Sequence, residues 1–118
     1  MMGLKMEGPY NFVLEEVDRV LREGSAGNYA LGFIDSMDGR FVILYIGRSD
    51  QDLNSELKTF LGRGYKKFKY CHAINAQQAF IKECSDYHDF SPIHNAAHPQ
   101  RPEGSDYLCP RCDIFGSH

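Results

Sequence analysis

The chain has 118 residues and a formal net charge of −3. That length allows one domain with one modest core, and the acidic balance excludes a nucleic-acid binder that works through overall positive charge. No apolar run reaches the ~20 residues of a membrane span, and residues 1–8 lack the basic-then-apolar order of a secretory signal.

Pro9 opens a predicted helix over 9–23, with Phe12, Val13, Val17, Val20 and Leu21 at helical spacing, and Gly24 to Gly27 ends it. Two strands follow, over 29–35 and 41–46. Ser36-Met37-Asp38-Gly39 between them carries an Asp-Gly hairpin signal. The second strand is apolar on both faces, which predicts a central strand covered on two sides. Ser49 or Asp50 is the expected N-cap of a second helix that buries Leu53, Leu57, Phe60 and Leu61 and stops at Gly62 and Gly64. A third strand is predicted over 66–72. It holds the one dense basic stretch, Lys66, Lys67 and Lys69 with Arg63 just before, readable as a phosphate-binding patch or as a solvated strand edge. Asn75 is the expected cap of a third helix running to about residue 89, with Ala79 and Phe80 inward. From Phe90 onward Pro, His, Gly and Cys dominate. Such a tail forms no core of its own and needs a staple. The expected fold is a small α+β domain, a three-stranded, mainly antiparallel sheet flanked by helices. An N-terminal helix falls in 1–26, the core in 27–90, and an irregular Cys/His tail packed on that core in 91–118.

The cysteines are Cys71, Cys84, Cys109 and Cys112. Without an export signal they point to the reducing cytoplasm, where metal binding is favoured over disulfides. Cys109-x-x-Cys112 reads as half of a structural zinc site. Cys84 and His88 lie four apart on the third helix and share a face, which gives the set Cys84, His88, Cys109 and Cys112. His98, followed by the rigid Pro99, is a rival ligand, and His94 is another. A redox pair is the alternative reading. Cys71 is expected to be a core thiol.

The order of short elements carries more. Gly27-Asn28-Tyr29 precedes Tyr45-Ile46-Gly47, then Arg48-Ser49-Asp50 and Asp52-Leu53, with Glu83 and Asn95 later. Over about residues 27–95 the chain resembles the GIY-YIG nuclease superfamily, and its tail resembles a prokaryotic subgroup that ends in a Cys/His zinc-binding segment. The resemblance implies a GIY-YIG-like fold and an endonuclease that hydrolyses DNA phosphodiester bonds with one divalent metal, Mg or Mn, held by Glu83. Tyr29 or Tyr45 would orient or deprotonate the attacking water, an arginine would stabilise the transition state, and Asn95 stands for the family's late asparagine.

The chain departs from that pattern in Asp52-Leu53-Asn54-Ser55-Glu56-Leu57. Glu56 stands where the family has an arginine, and Arg48 is the candidate to replace it. A non-catalytic nucleic-acid-binding module and a zinc-stabilised interaction module are therefore the alternatives. Singly, each residue has a plainer role: Tyr29 and Tyr45 as cross-strand packing, Arg48 as a surface side chain paired with Asp50 or Asp52, Glu83 as a solvated helix residue, Asn95 as a turn former. Nothing in the sequence calls for an organic cofactor or fixes the oligomeric state.

Overall fold

The turn at Asp38-Gly39 folds the chain back as its residues dictate. Asp35 N donates to Arg40 O at 2.8 Å, Gly39 N donates to Asp35 O at 2.8 Å, and Gly39 takes φ of 73°, where a side chain would be strained. In the computed structural model, which describes residues 3–116, the strands so joined are β2 (Gly27–Ile34) and β3 (Phe41–Ser49). β4 (Lys67–His72) pairs with the other side of β2, and β1 (Glu7–Asn11) pairs with β4. The sheet is antiparallel throughout, in the order β1-β4-β2-β3.

The sheet thus has four strands, not three. The extra one comes from the expected helix over 9–23, which divides into β1 and a short helix, α1 (Leu14–Val20). Helical spacing misled because Tyr10 and Phe12 find partners across the sheet instead. Both rings lie 5.6 Å from Phe68. β1 is an edge strand, so the N–H that Pro9 lacks costs it little. Val13, read as part of the buried stripe, is the extended N-cap residue of α1 and is 48% exposed.

One sheet face carries Tyr29, Leu31, Phe68 and Tyr70 and packs on α1 and α2 (Leu53–Lys58) through Val17, Leu21, Leu53 and Leu57. Asp52 caps α2, two or three residues later than expected. Ser49 Oγ accepts from Asp52 N at 2.9 Å, and Asp52 Oδ1 accepts from Ser55 N at 3.4 Å. The other face carries Ala30 and Ile46 and is crossed by α3 (Ala76–Phe90). Asn75 Oδ1 caps α3 through Gln78 N at 2.9 Å, and the buried Asn28 amide donates to Ala79 O at 2.8 Å, fixing α3 to β2. A third cluster, Phe80, Cys84 and Cys109 with Tyr107 and Phe115, joins α3 to the tail.

β3 is an edge strand, against the expectation of a central one. Its apolar residues are covered all the same, Phe41, Ile43 and Ile46 by Leu4, Met6 and Phe90 on one face and Tyr45 by Phe60 on the other, and the tail bonds to its free edge. His94 N donates to Leu44 O at 2.8 Å. Asn95 then behaves like a peptide group: its Nδ2 donates to Ile46 O at 2.8 Å and its Oδ1 accepts from Ile46 N at 2.9 Å. The basic residues of β4 belong to an interior strand rather than an edge, and Lys69 Nζ sits 5.3 Å from the Phe41 ring centroid. Cys71 is half-buried. Among the described residues no helix is long and apolar enough to cross a membrane.

Candidate functional site

Strand register decides how the candidate residues meet. Tyr29 faces Gly47 across the β2–β3 ladder and Tyr45 faces Leu31, so both tyrosines lie on the α2 side of the sheet. Arg48 faces Asn28 and lies on the α3 side. Gly47, at the sheet edge between them, lets the Tyr29 ring lie directly against the backbone of β3. A Cβ there would stand 2.3 Å from Tyr29 Oη and 2.4 Å from Cζ. Tyr29 is fully buried against Phe60 and Tyr45, with ring centroids 5.7 and 6.2 Å away, and cannot retreat. Gly47→Ala is therefore expected to cost about 1–3 kcal/mol, read as a fall of several degrees in the thermal midpoint. Gly3→Ala, which meets no atom within 4 Å, is the neutral control.

On the α3 side, Arg48 Nη1 donates to Glu83 Oε1 at 2.6 Å and its Nε donates to Asp50 Oδ1 at 2.7 Å. The guanidinium also lies 5.3 Å from the Phe80 ring centroid. Burial works against the Arg48 charge, but Asp50 and Glu83 outweigh it and hold the group above its ordinary value. For Glu83 burial wins over Arg48 and pushes the carboxyl up to about 7. Glu83 is thus a sequestered, half-neutralised acid and not the solvated helix residue of the plainer reading.

On the α2 side, the Tyr29 hydroxyl donates to Glu56 Oε2 at 2.9 Å. Burial first, then the Glu56 carboxylate, push Tyr29 far above its usual value. Burial first, then Glu83 and Glu56, push Tyr45 up too. Both phenols keep their protons.

These groups line a single cleft of about 310 Å³, bounded by Tyr29, Tyr45, Gly47, Arg48, Glu56 and Glu83 and closed by the segment from Asn95 to Gln100. All five residues singled out by sequence reach its wall, although the Asn95 amide is engaged with Ile46. Asp50, one of the two ion-pair partners that the sequence offers Arg48, is the second partner of its guanidinium. Sequence reasoning missed the bond between Glu56 and Tyr29, which no spacing rule encodes. With Asp50 the cleft sets three carboxylates against one guanidinium, a balance that repels a bare phosphate.

Behind the tail wall lies a separate group. One ligand atom each from His88, His98, Cys109 and Cys112 lies within 4.8 Å of all the others. His88 Nε2 and His98 Nε2 are 3.3 Å apart, Cys109 Sγ is 3.5 Å from His88 Nε2, and Cys112 Sγ is 3.5 Å from His98 Nε2. A tetrahedral zinc with ordinary bond lengths requires edges of about 3.3 Å between nitrogens and about 3.5 Å between nitrogen and sulfur. His98 Nδ1 lies 2.9 Å from Pro99 O. A carbonyl there demands the proton on Nδ1 and leaves Nε2 free to ligate. Arg111 N donates to Cys109 Sγ at 3.4 Å. Burial, then His98 and Arg111, hold His88 below its ordinary value and so neutral. The donors fit a structural zinc. Cys84, placed in the set by its position one turn before His88, lies outside this group, and the rival His98 is inside it. Cys84 is fully buried beside Phe80 and Cys109. His94 is turned to the Tyr65 hydroxyl, 2.8 Å from its Nδ1.

A scan against protein-family models gives no match for this chain, and searches of curated proteins and of solved structures give none either.

Proposed function

We propose that this protein is a GIY-YIG-like endonuclease that hydrolyses DNA phosphodiester bonds with one divalent metal, and that a structural zinc on His88, His98, Cys109 and Cys112 holds its tail. The observation that carries the reading is the meeting of Tyr29, Tyr45, Arg48 and Glu83 around one cleft, from both sides of the sheet. Glu83 offers an oxygen not engaged by Arg48, and Mg²⁺ or Mn²⁺ bound there supplies positive charge to a phosphate oxygen. Arg48, pinned between Asp50 and Glu83, is the one guanidinium lining the cleft, and it takes the role that the α2 segment leaves vacant at Glu56. Its charge is available as the phosphate becomes pentacovalent. The Tyr45 hydroxyl, which retains its proton, orients water or a phosphate oxygen, while the Tyr29 hydroxyl is engaged by Glu56.

The test is nicking of supercoiled plasmid by the whole protein in Mg²⁺ or Mn²⁺, with Glu83→Gln beside it. Metal-dependent nicking that the substitution removes is expected. Nicking that survives the substitution, or none from the wild type, overturns the reading. One observation favours a second reading, a module that binds nucleic acid without cutting it: Glu56 puts negative charge in the cleft where an arginine is expected. Salt-dependent binding without cleavage would be its signature.

A further inference from the structure

We propose that Glu56 is the proton acceptor for the attacking water, so that the charge reversal in α2 relocates the base of the reaction instead of disabling it. This rests on the nuclease reading and adds a residue to it.

The cleft contains three carboxylates, and they are not equivalent. Asp50 and Glu83 are both paired with Arg48. None of the ion pairs among the described residues involves Glu56. Its side-chain partner is an uncharged hydroxyl, that of Tyr29, which donates to Oε2 and leaves Oε1 free. A carboxylate with no cation to hold its charge, positioned by a donor that keeps its own proton, suits a general base. Tyr29 is in turn fixed by full burial and by Gly47. Tyr29 therefore acts as a positioning residue for Glu56.

The step balances. A water O–H bond breaks and its proton passes to Glu56 Oε1, while the water oxygen forms the new P–O bond. The bond from phosphorus to the leaving oxygen breaks, and that oxygen takes a proton from solvent. Glu56 then returns its proton to solvent.

The test compares wild type, Glu56→Gln and Glu56→Asp in metal-dependent cleavage of a DNA duplex and of bis(p-nitrophenyl) phosphate, whose leaving group departs without a proton. Gln keeps an acceptor for the Tyr29 hydroxyl, and thermal midpoints check that each variant is folded. Glu56→Gln is expected to lower kcat about 100-fold or more with KM within about threefold. Glu56→Asp should recover part of that loss, and the deficit should persist on the activated ester. Glu56→Gln cleaving at or above the wild-type rate overturns this assignment and leaves the nuclease reading intact. A deficit that vanishes on the activated ester also overturns it, since Glu56 would then serve the leaving group. A wild type without metal-dependent cleavage overturns both.

Discussion

Stripping zinc from the protein is expected to release the tail beyond α3 and lower the thermal midpoint by more than about 10 °C. The tail contributes little apolar mass. Pro92, Pro99 and Cys109 are its buried apolar residues among those described, with Tyr107, Cys112 and Phe115 partly buried against Phe80 and Cys84. Binding free energies of structural zinc in small domains are about 10–16 kcal/mol, far more than those contacts supply. Circular dichroism melts before and after a strong chelator measure the effect, with His98→Ala and Cys109→Ser as variants and metal content by elemental analysis. Cleavage should fall with the fold, because the segment from Asn95 to Gln100 is a wall of the cleft. An unchanged melt after chelation would count decisively against a structural zinc, whereas a Cys84→Ser variant that keeps its zinc would agree with the ligand geometry.

The second large effect is at Glu83. Glu83→Gln is expected to reduce metal-dependent cleavage by on the order of 10³-fold, the several kcal/mol that a correctly held cation contributes. The position of this carboxyl, about 7 when folded, adds a pH signature. Below that value a proton occupies Glu83 and competes with the cation, so apparent Mn²⁺ affinity should drop about tenfold per pH unit and level off above it. Stability runs the opposite way. The unfolded chain titrates near 4.5 and the folded one near 7, so between them the folded state binds more protons. The stabilisation is complete below 4.5 and is lost as pH rises through about 7. Glu83→Gln should therefore melt no lower than wild type at pH 8 while losing its activity, the trade expected where an acid is buried for use and not for packing. A lower midpoint at pH 8 would mean that the Arg48 ion pair is mainly structural.

Much of this arrangement was legible before the fold, and the exceptions share a cause. The hairpin followed from Asp38-Gly39 and the start of α3 from Asn75, because a turn residue and a cap act within a few positions of themselves. β1 was hidden because Phe12, Val17 and Leu21 satisfy a helical period equally well, and only the rings of β4 choose otherwise. The C-x-x-C spacing likewise marks Cys109 and Cys112 as a pair. The i,i+4 rule put Cys84 and His88 on one side of α3, but it does not say where along that side the tail docks. The docking admits His88 and turns Cys84 into the apolar cluster. At the cleft, sequence supplied the residues and their order. That a glutamate in the arginine position would accept a hydrogen bond from the first tyrosine depends on the packing of α2 against β2, a contact between segments 27 residues apart.

Along the outer margin of β3 the side-chain amide of Asn95 occupies both backbone groups of Ile46, and His94 N donates to the Leu44 carbonyl. Backbone left bare at a sheet margin is a template onto which another copy can add its own strand. Whatever loosens the tail therefore also uncovers a surface prone to self-assembly. A zinc that pins the tail would then guard this margin against strand addition as well as hold a wall of the cleft.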